Sequence, residues 1–164
     1  MTIDLEAAAA ERERLRSLYL RQPSRRAAST ARGVHHLALL CSDVERTIRF
    51  YQDLLGFPLV ELFENRDYKG STHLFFDIGH DNSLAFFDFP GLDLGPYKEV
   101  LGGFHHLAIS VSQAQWDAAK QRLEESGVAT HIESEISLYF SDPDGVRLEL
   151  IAEDLGSLYG TSLH

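Results

Sequence analysis

The chain holds a single cysteine, Cys41, one tryptophan and one methionine. One cysteine excludes an intrachain disulfide framework and any zinc site built on paired cysteines, and it fits a reducing cytoplasm. No apolar run approaches the roughly 20 residues of a membrane span, and the N-terminus lacks the apolar core of a signal peptide. Positive charge is also scarce. Fifteen Lys and Arg stand against 25 Asp and Glu, for a formal net charge of −10. That balance argues against a nucleic-acid partner. A Gly-rich phosphate loop, a Ser/His/Asp signature and a basic stripe with interleaved aromatics are all missing.

What the chain does have is a repeat. Gly33-Val-His-His-Leu-Ala-Leu39 returns seventy residues later as Gly103-Phe-His-His-Leu-Ala-Ile109. A helical pattern follows each copy. Val44, Ile48, Tyr51 and Leu55 close on Gly56, and Trp116, Ala119 and Leu123 close on Gly127. Ser42 with Glu45, and Ser112 with Gln115, have the spacing of a capping box, and the glycines sit where a helix end takes a left-handed residue. After the first helix, residues 72–79 and 83–90 read as strands joined by a turn at His80-Asp81-Asn82. After the second, residues 136–142 and 146–152 flank the turn Pro143-Asp144-Gly145. Each half therefore reads as strand, helix and about three strands.

Alternation along a strand assigns the faces. His36, Ala38 and Leu40 share one face and Leu37, Leu39 and Cys41 the other. The second copy sets His106, Ala108 and Ser110 against Leu107, Ile109 and Val111. The more apolar face belongs under the helix, which puts His36 and His106 on the opposite side. Arg147, Glu149 and Ile151 share a face opposite Leu148 and Leu150. A carboxylate between two leucines needs a partner, and a divalent cation is one. Phe87 and Phe89 share the face of Ala85 and suit a planar apolar ligand, whereas Phe76 and Phe86 read as core. His73 and His164 read as solvent-exposed.

Residues 1–32 read as a helix and linker outside the repeat. They carry seven Arg against four acids, a net +3, which leaves −13 for the remainder. Such a segment packs on the domain or a dimer partner, or contacts an acidic surface.

The runs HHLALLCSDVERTIRFYQDLLGF, HHLAISVS and SDPDGVRLELI resemble the vicinal oxygen chelate superfamily. It holds glyoxalase I, fosfomycin-resistance proteins, methylmalonyl-CoA epimerase, bleomycin-binding proteins and extradiol dioxygenases. The resemblance implies an α+β fold of two βαβββ modules, 33–90 and 103–153, in a domain spanning 33–164. It implies metal ligands from the first and last strands: His36, His106 and Glu149. The fourth equivalent position, aligning SLAFF with RLELI, is Ala85, unlike the acidic or polar residue of glyoxalase I and the epimerase. Two histidines and one carboxylate leave open coordination positions, as Fe(II) oxygenases require. Fe(II) is therefore the first choice of cofactor, then Mn(II), Zn(II) or Ni(II).

Tyr139, ten residues before Glu149, resembles the pocket tyrosine of extradiol enzymes, and His131 lies near a further pocket histidine. Asn82 stands where those enzymes carry a proton-transferring histidine, and an amide is no base. His80 is the nearby substitute. The expectation is a small cytoplasmic, homodimeric, extradiol-type dioxygenase acting on a catechol-like aromatic. The alternatives are a glyoxalase-like or fosfomycin-resistance-like lyase, isomerase or transferase, and a non-catalytic small-molecule-binding protein.

Overall fold

A computed structural model describes residues 3–163. Helix α1 (Leu5–Tyr19) starts at Asp4, whose carboxylate accepts from the Ala7 amide, and it buries none of its residues. Arg26, beyond it, donates to the Leu163 carbonyl at 2.7 Å, tying the linker to the C-terminus. His164 lies outside the described residues.

The first module runs β1 (His36–Leu40), α2 (Val44–Ile48), β2 (Leu59–Glu64), β3 (Thr72–Asp77) and β4 (Ser83–Phe87). The second runs β5 (Leu107–Ser110), α3 (Gln113–Glu125), β6 (Thr130–Glu133), β7 (Ser137–Ser141) and β8 (Arg147–Ile151). Two short strands, β9 (Ser157–Leu158) and β10 (Thr161–Ser162), form a C-terminal hairpin. Each module makes a four-stranded mixed sheet, ordered β1-β4-β3-β2 and β5-β8-β7-β6, with the first strand at one edge and paired in parallel to the last. That topology places residues of the first and last strands side by side on one face, which is what a site shared by those strands needs. The expected α+β pair of βαβββ modules is what the chain forms.

The two helix starts differ. Ser112 makes the expected capping box with Gln115. In the first module the cap is Asp43, whose carboxylate accepts from the Arg46 amide. Ser42 is drawn instead to the second module, where its amide donates to Asp144 at 3.0 Å. Helix α2 then widens into a π-helical turn over residues 49–54, where the Leu55 amide bonds the Phe50 carbonyl at 3.2 Å. The extra residue in that turn lets two consecutive rings, Phe50 and Tyr51, both enter the core. Gly56 ends the turn at φ +81°. Alanine there pays the left-handed penalty of about 1–2 kcal/mol, so Gly56→Ala should lower the denaturant midpoint without changing the m-value.

One apolar cluster spans both modules. Phe50 packs on Phe140 with ring centroids 6.1 Å apart. Tyr51 packs on Phe76 and Phe86 and donates from its fully buried hydroxyl to Asp142 at 3.0 Å. Arg122 donates to the Leu54 carbonyl at 2.6 Å. Trp116 donates to the Leu150 carbonyl at 3.2 Å. The helix-covered faces of the two sheets therefore share a core. The opposite faces, carrying His36 and His106, are left uncovered in the single chain.

Candidate metal and substrate site

The uncovered face of the second sheet is a row in register. His131 pairs with Tyr139 across β6 and β7, and Tyr139 pairs with Glu149, itself beside Ala108 of β5. The Glu149 carboxylate is buried, at 5% exposure. Its Oε2 lies 3.1 Å from His106 Nε2. The His106 ring meets that of Tyr139 edge-on at 5.7 Å. Burial, then the hydrogen bond and negative charge of Glu149, push the Tyr139 phenol up to about 12. A buried carboxylate, an imidazole nitrogen aimed at it and a phenol thus converge on one point. Next to them lies a cavity of about 410 Å³ lined by His105, Thr130, His131, Tyr139, Ser141 and Arg147.

The uncovered face of the first sheet carries His36 opposite Ser83, and Ala38 opposite Ala85. His36 meets Phe75 at 6.1 Å between ring centroids. The aromatic wall extends through Phe87 and Phe89, stacked at 6.2 Å, while Phe76 and Phe86 are fully buried in the core. The wall holds a residue that sequence reasoning set aside. His73 is half-buried rather than solvent-exposed, and stacks on Phe87 at 3.8 Å. Its Nε2 is buried without a hydrogen-bond partner. Burial, then the neighbouring His36, push its pKa down. Strand parity puts His73 on the face opposite the core residues Leu74 and Phe76, and its burial comes from Phe63 and Phe87 on the neighbouring strands.

His80 belongs to neither face. It is an exposed residue of the β3–β4 turn with φ +50°. Asn82 caps that turn, its amide donating to the carbonyls of Gly79 at 3.2 Å and His80 at 2.9 Å. The turn geometry thus commits both side-chain positions to the hairpin tip. His36 is not gathered with His106 and Glu149 within one chain. Among the described residues no group of three or more His, Cys, Asp or Glu side chains is arranged to hold a metal. One chain presents two separate histidine doublets, one at the start of each sheet's first strand.

In each doublet the two imidazoles meet through ring nitrogens. His35 and His36 approach Nδ1 to Nδ1 at 2.9 Å, and His105 and His106 do so at 2.6 Å. Both contacts engage Nδ1, and His106 directs its Nε2 at Glu149. The buried Glu149 carboxylate beside a His Nε2 suits a divalent ion, which supplies the missing countercharge.

Residues 33–150 match the model of the Glyoxalase/Bleomycin resistance protein/Dioxygenase superfamily. One relative, from Bacillus subtilis (strain 168), bears the name "Putative ring-cleaving dioxygenase MhqA". It is 29% identical over 78% of this chain, which spans only 42% of that protein's length. Another is the glutathione transferase FosA of Serratia marcescens, 28% identical over 72% of this chain and 79% of its own. The fold matches the crystal structure of a glyoxylase/bleomycin resistance protein/dioxygenase domain from Frankia sp. EAN1pec. That match has a TM-score of 0.66 at 22% identity, covering 76% of this chain and all of the other. With a family model that spans both halves of the repeat and a matching architecture, the chain belongs to the Glyoxalase/Bleomycin resistance protein/Dioxygenase superfamily.

Proposed function

We propose that the protein is a homodimeric metalloenzyme whose two half-sites are completed by a second copy of the chain. In this reading His106 and Glu149 of one protomer and the partner's His36 hold one divalent ion, Fe(II) by preference. The observation that carries it is the buried Glu149 carboxylate 3.1 Å from His106 Nε2, with His36 on the uncovered face of the other sheet. Leu40 and Phe63 on that face are 48% and 43% exposed, an apolar surface suited to burial against another copy.

The substrate reading is a catechol-like aromatic, and the reaction ring cleavage of the extradiol type. The first sheet's uncovered face is a wall of Phe75, Phe87 and His73. Its strands β1, β3 and β4 hold no Lys or Arg. In the second half-site Arg147 is engaged by Glu99 at 2.8 Å. A flat apolar ring suits such walls better than a phosphonate dianion, which calls for unpaired cations.

A divalent ion held by His106, Glu149 and the partner's His36 would supply Lewis acidity to a substrate with vicinal oxygens. The chain's own groups do the remaining work. The Tyr139 phenol, kept protonated well above neutral pH, donates a hydrogen bond to negative charge developing on a substrate oxygen. His131, in register beside it, is placed to hold or pass a proton at the cavity wall. The Phe wall orients the ring and excludes water. His80, at the exposed turn, takes no part in this reading.

Asn82, committed to the turn, favours a second reading that keeps the metal but drops dioxygen: a thiol transferase or isomerase on a bidentate oxygen substrate; FosA is named a glutathione transferase. The experiment loads the protein anaerobically with Fe(II), adds a panel of catechols and then dioxygen, and follows oxygen uptake. Uptake that falls about 10²-fold in Tyr139→Phe supports the dioxygenase, the size expected for loss of one oxyanion donor. No uptake with any catechol, together with turnover of a glutathione hemithioacetal or an epoxide under Mn(II), would support the transferase or isomerase instead.

A further inference from the structure

The two histidine doublets are alike in sequence but not in surroundings. His105 Nε2 lies 3.2 Å from Arg147 Nη1. Arg147 in turn is held by Glu99 of the inter-module linker at 2.8 Å. The doublet contact runs from His105 Nδ1 to His106 Nδ1 at 2.6 Å, and His106 Nε2 reaches Glu149 at 3.1 Å. A guanidinium only donates, so His105 Nε2 must accept. His105 then carries its proton on Nδ1 and donates to His106 Nδ1. That leaves the His106 proton on Nε2, donating to Glu149. One arginine therefore fixes the direction of three consecutive hydrogen bonds.

A metal ion on His106 needs the Nε2 lone pair, the opposite arrangement. We infer that His105 is a positioning residue that couples metal occupancy at His106 to the Arg147–Glu99 pair, because binding requires both rings of the doublet to exchange tautomers. This inference rests on the metal reading above. The proton on His106 Nε2 leaves to solvent, and that on His105 Nδ1 passes to His106 Nδ1. His105 takes a proton from solvent on Nε2. Two protons sit on the doublet before and after, and neither ring changes charge. His105 Nε2–H then faces a donor, so Arg147 must leave it while retaining Glu99. The first doublet lacks this device. The position equivalent to Arg147 is Ser83, and among the described residues no arginine reaches His35.

Histidine-selective ¹⁵N labelling with long-range ¹H–¹⁵N correlation reads the tautomers directly, with diamagnetic Zn(II) as the probe. In metal-free protein the proton is expected on Nδ1 of His105 and Nε2 of His106. With zinc both should exchange. Arg147→Met removes the opposing donor and should tighten zinc binding severalfold. His105→Phe should weaken it about 10–100-fold, as expected for loss of a partner that orients a ligand. His105→Gln, whose amide oxygen accepts from His106 Nδ1–H, should recover most of that loss. A metal-free His106 already protonated on Nδ1, or zinc affinity indifferent to both Arg147→Met and His105→Phe, would overturn the inference. Zinc bound through Glu149 without tautomer exchange overturns the coupling alone. Failure of the wild-type protein to bind zinc at all overturns the metal reading and the coupling with it.

Discussion

Glu149→Ala is expected to lose its divalent ion and its turnover together. The carboxylate is buried beside His106 and Tyr139, whereas Glu133, on the same face, lies opposite Ser137 and outside the Glu149–Tyr139–His131 row. Weakening should be at least ~10²-fold, above the usual range for residues that merely orient a ligand. Stability gives a second readout. Metal at 100 times its Kd adds about 2.7 kcal/mol to a protein that binds it only when folded. Wild type should therefore melt higher with Mn(II) or Zn(II), and Glu149→Ala should not. Equal metal content in the two proteins, purified without chelator, would contradict the ligand assignment.

Asp142→Ala is expected to be the most damaging change outside the site, lowering stability by about 3–4 kcal/mol. Asp142 is buried where the two modules meet. Its Oδ1 accepts from the amides of Asp144 at 2.9 Å and Val146 at 2.8 Å, and its Oδ2 accepts from the Tyr51 hydroxyl. Alanine strands all three donors, whereas Asn keeps the two backbone bonds. Asp142→Asn should therefore cost much less.

The comparison also has a pH signature. Burial raises the Asp142 pKa, outweighing the hydrogen bonds from Val146, Tyr51 and Asp144 that pull it down. A carboxyl raised on folding contributes stability below its unfolded pKa and loses that contribution as pH rises through the folded value. Wild type should accordingly gain on Asp142→Asn as pH falls from 7 towards about 4, where carboxyls protonate. Urea unfolding of both proteins across that range measures it. A constant difference would mean that Asp142 titrates alike in both states.

Local periodicity made the modules legible from the sequence. His36 and Glu149 could be placed on faces because alternation is a property of a few consecutive residues. The structure agrees for Leu148 and Leu150, which are buried, and for Phe76 and Phe86. What local pattern missed depends on contacts remote in sequence. Ser42 has the spacing of a cap but is engaged by Asp144, a hundred residues on, so Asp43 caps instead. His73 reads as a surface histidine until the rings of β2 and β4 are set on either side of it. Which sheet faces which is likewise a tertiary choice. The shared core of Tyr51, Phe50 and Phe140 fixes it within one chain, and the repeat alone carries no sign of it.

The central claim, that a metal site is shared between two chains, is tested most directly by subunit mixing. His36→Ala and Glu149→Ala are each purified, shown to be without activity and metal, then mixed and allowed to exchange. If each site takes His36 from one chain and His106 with Glu149 from the other, every mixed dimer has one intact site. Random exchange should then restore about a quarter of the wild-type metal content and activity. Mixed dimers, demonstrated by mass or a tag, that regain neither would contradict the account.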